Sequence, residues 1–121
     1  MKTVAIILLC STAAICTAHA ATSRRPVTTI KPLLVTAIDR GEAYGTVTGE
    51  SRAFMEKHFE TSAPIEIDVK ALHDLPQAGC KRLQVITRQA QVREASSQAA
   101  ADKELSYEVS FCRDGQFYAP R

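Results

Sequence analysis

The sequence lacks most short motifs through which small proteins perform catalysis or bind cofactors. It contains no G-x-S-x-G nucleophile motif, and the glycine-bearing stretch 45–51 lacks the lysine of a phosphate-binding loop. Beyond residue 20 the histidines are His58 and His73, which share neither H-x-x-x-H nor H-E-x-x-H spacing. We therefore expect no metal, no other cofactor and no enzymatic activity.

A strong charge of either sign is also absent. The 121 residues carry 15 Lys and Arg against 13 Asp and Glu, and loss of residues 1–20 would remove one cation, Lys2. The remaining chain then has a formal net charge of about +1. Such a chain has no strong field to attract nucleic acid or an anionic membrane, so we expect neither as a partner.

Residues 1–20 have the pattern of a secretory signal peptide. Lys2 precedes an apolar run over residues 4–15, and small residues then form an A-x-A cleavage motif. The alternative is a membrane anchor, but the run is shorter than the ~20 apolar residues that a spanning helix needs. We predict cleavage between Ala20 and Ala21, a periplasmic or secreted location, and no integral membrane segment in the mature chain.

Two of the four cysteines lie in this predicted signal peptide, which leaves Cys80 and Cys112. An even number of cysteines in an exported protein indicates a disulfide. Their spacing is far from the C-x-x-C of thioredoxin-type redox couples. We therefore predict a structural disulfide between Cys80 and Cys112.

Residues 80–89 and 104–112 alternate as two strands of a sheet do. Antiparallel pairing in which opposed residue numbers sum to 192 brings together three pairs that form one apolar patch, an ion pair and the two remaining cysteines. These pairs are Leu83 with Val109, Val85 with Tyr107, Thr87 with Leu105, Arg88 with Glu104, and Cys80 with Cys112. A slip of one residue would break all of them, so the sequence predicts a long hairpin whose open end is closed by the disulfide.

The residues after the signal peptide predict a lead-in, a hairpin and a helix. Residues 21–32 contain prolines and should form an extended lead-in, either a loose terminus or a binding arm that orders on a partner. Residues 33–39 and 43–49 are predicted as paired strands. Residues 50–60 have apolar side chains at three- and four-residue spacing, and predict a helix that covers the sheet, with Thr48 as its N-cap.

The middle of the chain predicts another strand. Residues 63–70 alternate regularly, and 71–79 resemble a short helical turn ended by proline and glycine. The connector 90–103 is compatible with a helix or with a flexible excursion. We expect a single α+β domain over residues 33–121: a mainly antiparallel sheet of about four to five strands, one helix packed on a face, and one disulfide.

Four residues are candidates for contact with a protein partner. Arg82 and Arg88 lie on what we expect to be an exposed sheet edge. Phe117 and Tyr118 follow the last strand, where exposed aromatic side chains would concentrate binding energy, although they could equally fold back over the core.

A hydrolase would have to use Glu50 or His73. Gly49-Glu50-Ser51 resembles the Glu-Ser pair of lytic transglycosylases, but about a hundred residues with one long helix cannot form the cleft that such chemistry needs. Glu50 is better explained as an acid at a helix start. His73 beside Asp74 is a commonplace pair, and His58 falls on the apolar stripe of the predicted helix.

The stretches SAPIEIDV, LPQAGCKRLQVITRQ and SYEVSFCRDG resemble small exported proteins encoded in conjugative transfer and type IV secretion gene clusters. The resemblance covers residues 43–118 and transfers no functional residue. It implies a periplasmic accessory protein that helps to assemble or regulate a DNA-transfer channel or its pilus. We therefore expect a non-enzymatic interaction protein of a cell-envelope complex; the alternative is a secreted inhibitor of a cell-wall hydrolase, with 90–103 as its inserting element.

Overall fold

A computed structural model of the chain describes residues 23–95 and 98–120. The predicted signal peptide and its cleavage site, Ala20–Ala21, lie outside these residues. The described residues form five strands and two helices. Their order is β1 (Arg25–Val27), α1 (Lys31–Arg40), β2 (Glu42–Val47), α2 (Glu50–Phe59), β3 (Glu66–Asp74), β4 (Cys80–Val92) and β5 (Ala101–Cys112).

The strands form one sheet in which spatial order follows sequence order, from β1 to β5. β2, β3, β4 and β5 pair antiparallel, whereas β1 pairs parallel to β2 because the chain crosses over through α1 between them. Part of the predicted lead-in therefore enters the sheet as a short strand. The predicted fold class, a small α+β domain with a mainly antiparallel sheet, is confirmed.

The predicted hairpin is also confirmed, in the predicted register. β4 and β5 pair so that Cys80 lies opposite Cys112, Val85 opposite Tyr107, and Arg88 opposite Glu104. A disulfide joins Cys80 to Cys112 and closes the open end of this hairpin. The disulfide is buried, since both cysteines are almost inaccessible to solvent.

The prediction of a strand at 33–39 is wrong, because these residues belong to helix α1. Their apolar side chains recur with the helical period, and the buried residues of α1 are Leu33, Leu34, Ala37 and Ile38. Pro32 is tolerated in the first turn, where its missing N–H would have no helical partner. Gly41 ends the helix with a φ of 89°, and its N–H donates to the Ala37 carbonyl.

α2 forms where a helix was predicted, but it does not cover the sheet as predicted. None of its residues is fully buried, and of its side chains only the partly buried Met55 packs against the core. Gly49, not Thr48, is its N-cap; the Thr48 hydroxyl instead donates to the Val27 carbonyl at 3.3 Å. The helix that covers the sheet is α1, because it carries four buried apolar residues whereas α2 carries none.

The structure also differs from the predictions near the ends of β3, β4 and β5. The prediction of a helical turn at 71–79 is wrong: β3 continues to Asp74 through an irregularity after Ala71, because its backbone pairs with the start of β4. In the connector, β4 and β5 occupy 90–92 and 101–103, so those residues are neither helical nor a flexible excursion.

The core lies between α1 and one face of the sheet. The largest fully buried side chains are Phe111, Leu33, Leu34, Leu83, Val69 and Val85. Gly45 of β2 allows the helix to approach closely, since a Cβ there would lie 2.6 Å from Leu33 Cδ1. The opposite face of the sheet carries polar and charged side chains, several of them in ion pairs.

Candidate protein-binding edge

β5 forms one edge of the sheet and has a long unpaired side. Between 101 and 109 that side pairs with no strand among residues 23–95 and 98–120. Near the disulfide the C-terminal tail covers it: the Cys112 N–H donates to the Gln116 carbonyl, and the Tyr118 N–H to the Ser110 carbonyl, both at 2.9 Å. We call residues 101–109 the open edge.

The tail contacts show which backbone groups face outward along β5. Ser110 and Cys112 direct theirs away from β4, toward the tail. Backbone direction alternates along a strand, so Glu104, Ser106 and Glu108 also direct their N–H and C=O groups away from β4. Such a row of unpaired groups is a template on which another strand can pair.

Apolar side chains of the open edge are also uncovered. Leu105 is 62% exposed and Tyr107 39%, although both lie on the face that carries the fully buried Phe111. Partial burial raises the pKa of the Tyr107 hydroxyl. Leu105 and Tyr107 form what we call the exposed strip, and apolar surface left in this way is typical of a binding site.

A groove adjoins the exposed strip, between α2 and the far end of the β4–β5 hairpin. Its volume is about 360 Å³. Its apolar lining comes from both sides of the groove, namely Met55, Phe59, Ile65, Val92 and Leu105. An apolar side chain from a partner could enter it beside Leu105.

On the polar face a chain of charges runs from Arg24, which precedes β1, toward the open edge. Asp68 of β3 accepts hydrogen bonds from Arg24 at 2.7 Å and from Arg88 at 2.6 Å, and Arg88 also donates to Glu104 at 2.9 Å. The Asp68 side chain is only 13% exposed. Burial acts to raise its pKa, but hydrogen bonds from Arg88 and Arg24 outweigh burial and hold the pKa of Asp68 below its ordinary value.

Replacing Asp68 by Asn should lower the free energy of unfolding at pH 7 by about 1–3 kcal/mol, because two arginines lose their charged acceptor. The folded-state pKa of Asp68 is depressed, so its contribution is present above about pH 4 and is lost as pH falls through the folded pKa. Urea unfolding of the wild type and of Asp68→Asn, measured from pH 7 to pH 2, should show that the difference between their free energies of unfolding shrinks in acid.

The matched control is Glu56→Gln, which removes an exposed ion pair to Arg52 on α2. Pairs of this kind contribute at most about 0.5 kcal/mol. Equal effects of the two substitutions, or a gap that persists at pH 2, would contradict the assigned role of Asp68.

The structure places Arg82 and Arg88 on β4, between β3 and β5, so the expectation that they lie on a sheet edge is wrong. The error arises because β5, and not β4, is the last strand. Arg82 donates to Glu108 at 3.1 Å and to Ser110 at 2.9 Å, and thus both arginines reach toward β5. Direct contact of either arginine with a partner stays a prediction.

The aromatic tail folds back against β5. The Phe117 ring packs edge-to-face on Phe111, with centroids 5.1 Å apart, and Phe117 remains 58% exposed. The Tyr118 backbone holds the tail in place. Contact of Phe117 and Tyr118 with a partner remains a prediction.

The residues considered for hydrolysis are not assembled into a catalytic pair. The Asp74 carboxylate lies 3.3 Å from Lys81 Nζ, while His73 Nδ1 lies 3.1 Å from the Asp74 carbonyl oxygen. Glu50 begins α2, and the His58 ring stacks on Phe54 with centroids 5.5 Å apart. Within the part of the chain that the structure describes, no three His, Cys, Asp or Glu residues form a group that could hold a metal ion.

The described helices are also short. Among the residues covered by the structure, no helix has the length and hydrophobicity needed to cross a bilayer.

Compared with known proteins, the chain matches no family model, no curated protein and no solved structure. Its function is therefore inferred from its own geometry.

Proposed function

We propose that this protein is a non-enzymatic accessory of a cell-envelope complex and binds a protein partner along the open edge. The observation that carries this proposal is that the outer side of β5 over 101–109 has no strand partner among the described residues, and that it lies beside the exposed strip, Leu105 and Tyr107. Natural proteins usually blunt long edge strands, because an uncovered one pairs with other chains. An edge left open beside apolar side chains is best explained by a partner that covers both.

The proposed location is the periplasm. Support comes from the signal-peptide pattern of residues 1–20 and from the disulfide, since disulfides persist in oxidising compartments. The resemblance of residues 43–118 to proteins of conjugative transfer and type IV secretion clusters favours an assembly of that kind. The partner would then be an envelope component of the transfer apparatus.

Affinity purification from the native envelope tests this proposal with Leu105→Lys. We expect this variant to capture at least about tenfold less partner than the wild type, because a charge replaces an apolar contact at the centre of the interface. The control is Leu72→Lys on β3, where the side chain is similarly exposed, 45%, but lies away from the open edge. Undiminished capture by Leu105→Lys, or equal loss in both variants, would refute the proposal.

The same experiment separates the other candidate functions. Recovery of a multi-protein envelope assembly supports the accessory role, whereas recovery of a single wall hydrolase supports the inhibitor. Glu50→Ala and His73→Ala should leave the biological function intact, and loss of function in either would indicate an enzyme.

A further inference from the structure

The charges of the open edge indicate what kind of segment binds there. Resting on the proposed function, we propose that the partner contributes an extended segment that adds antiparallel to β5. This segment carries basic side chains opposite Glu104 and Glu108, and apolar side chains opposite Leu105 and Tyr107. The sheet thereby gains a sixth strand, as in other cases of strand addition.

The backbone supplies the geometry for this pairing. Glu104, Ser106 and Glu108 direct unpaired N–H and C=O groups outward, at the two-residue spacing of an antiparallel ladder. The tail occupies the same side of the strand from Ser110 onward. The added segment therefore has a defined stop at the disulfide end, and about eight residues can face positions 102–109.

The polar face of the open edge is acidic. Glu104 and Glu108 are about half exposed, and among the described residues each pairs with one arginine of β4, Arg88 and Arg82 respectively. Each carboxylate can therefore accept a second cation from the other side. Opposite charges on directly facing residues stabilise neighbouring strands, so Lys or Arg is favoured at those two positions of the segment.

The other face of the open edge favours apolar side chains. Leu105 and Tyr107 alternate with the glutamates, and the groove lined by Met55 and Phe59 lies beside Leu105. An incoming strand that alternates basic and apolar residues satisfies both faces at once, because its side chains alternate with the same period.

A second copy of this chain fits the open edge poorly. Antiparallel pairing of two copies about Ser106 places each Glu104 opposite Glu108 of the other copy. Pairing about Leu105 places Asp102 opposite Glu108, and pairing about Glu104 or Glu108 sets that glutamate against itself. Like charges placed directly opposite destabilise strand pairing, so these registers are disfavoured.

The register centred on Tyr107 avoids opposed like charges but conflicts with the tail. It would set Glu104 opposite Ser110, whose carbonyl already accepts the Tyr118 N–H at 2.9 Å. The acids and the tail together disfavour self-association and leave the open edge to a basic segment.

Binding of synthetic peptides to the oxidised mature chain tests the inference. The probe is the capped peptide Val-Lys-Val-Thr-Leu-Lys-Thr-Lys, which faces positions 109 to 102 in order. Two controls keep its length: one has Glu in place of each Lys, and the other has Pro in place of the central Thr, which removes an N–H needed for the ladder. Fluorescence anisotropy measures binding at low and high salt.

We expect the basic peptide to bind at least about tenfold more tightly than the acidic peptide, because each opposed pair changes from attraction to repulsion. The proline peptide should bind as weakly as the acidic one. Added salt should narrow the difference in affinity between the basic and the acidic peptide. The double variant Glu104→Lys, Glu108→Lys should reverse the preference toward the acidic peptide.

Equal binding of the basic and acidic peptides, or binding of neither, would overturn the inferred segment chemistry. The proposed function would survive that result if Leu105→Lys still abolished capture of the partner. A dimer of the free protein in sedimentation analysis, dissociated by Leu105→Lys, would instead identify a second copy as the occupant and overturn the inference.

Discussion

Replacing Cys80 and Cys112 by alanine should lower the free energy of unfolding by about 3.5 kcal/mol, because the disulfide between them restricts the unfolded chain. The bond joins residues separated by 32 positions and closes the end of the longest hairpin. Domains of this size have only about 5–15 kcal/mol of stability in total, so this loss is a large share. For a domain of about 100 residues it corresponds to a fall in Tm of about 15–25 °C.

Thermal unfolding followed by circular dichroism measures this effect. Wild-type protein unfolded in a reducing agent provides the matched comparison, and it should behave as the alanine variant does. A fall in Tm of less than about 5 °C would show that packing, and not the disulfide, holds the hairpin together.

Phe111→Ala should have a comparable effect, with a loss of about 3–5 kcal/mol. The Phe111 side chain is completely buried in the core on the face covered by α1, and it also supports the Phe117 ring of the tail. Removing it leaves a cavity that the surrounding side chains cannot fill.

Phe117→Ala is the matched control for this prediction. It removes the other ring of the same aromatic pair, but Phe117 is largely exposed, so the expected loss is at most about 1.5 kcal/mol. Urea unfolding of both variants gives the comparison. A larger loss for Phe117→Ala than for Phe111→Ala would mean that the tail, and not α1, covers the core at this point.

The β4–β5 hairpin could be predicted from sequence because several independent patterns select one register. Leu83 and Val85 require an apolar neighbour, Arg88 requires an acid, and Cys80 requires a cysteine. All of these requirements are local to two segments of chain, and one alignment satisfies them together.

α1 was mistaken for a strand because residues 33–39 are a short apolar run with β-branched members. Such runs do not distinguish a strand from a buried helix by hydrophobicity alone. The distinguishing signals lie just outside the run: Pro32 in the first helical turn and Gly41 at the C-terminus. Those two residues could have decided the assignment.

The extension of β3 over 71–74 could not be predicted locally. Its conformation depends on pairing with residues 81–83, and proline and glycine nearby favour a turn. In this segment tertiary pairing overrides the local preference.

The open edge is missing from the sequence prediction because the alternating pattern assigns Leu105 and Tyr107 to a buried face. They do lie on the core face, but α1 has 10 residues and β5 has 12. A helix of that length spans about 15 Å, against about 40 Å for the strand, and cannot cover all of it. The comparison of element lengths is a signal that the sequence could supply.

Amide hydrogen exchange along β5 tests the central claim most directly, because the claim is that a partner pairs with the outward N–H groups. In the free protein the amides of Glu104, Ser106 and Glu108 should exchange rapidly, while those of Leu105 and Tyr107, bonded to β4, exchange slowly. On binding of the envelope partner the first three should become protected. Slow exchange of all five in the free protein, or no added protection in the complex, would contradict the claim.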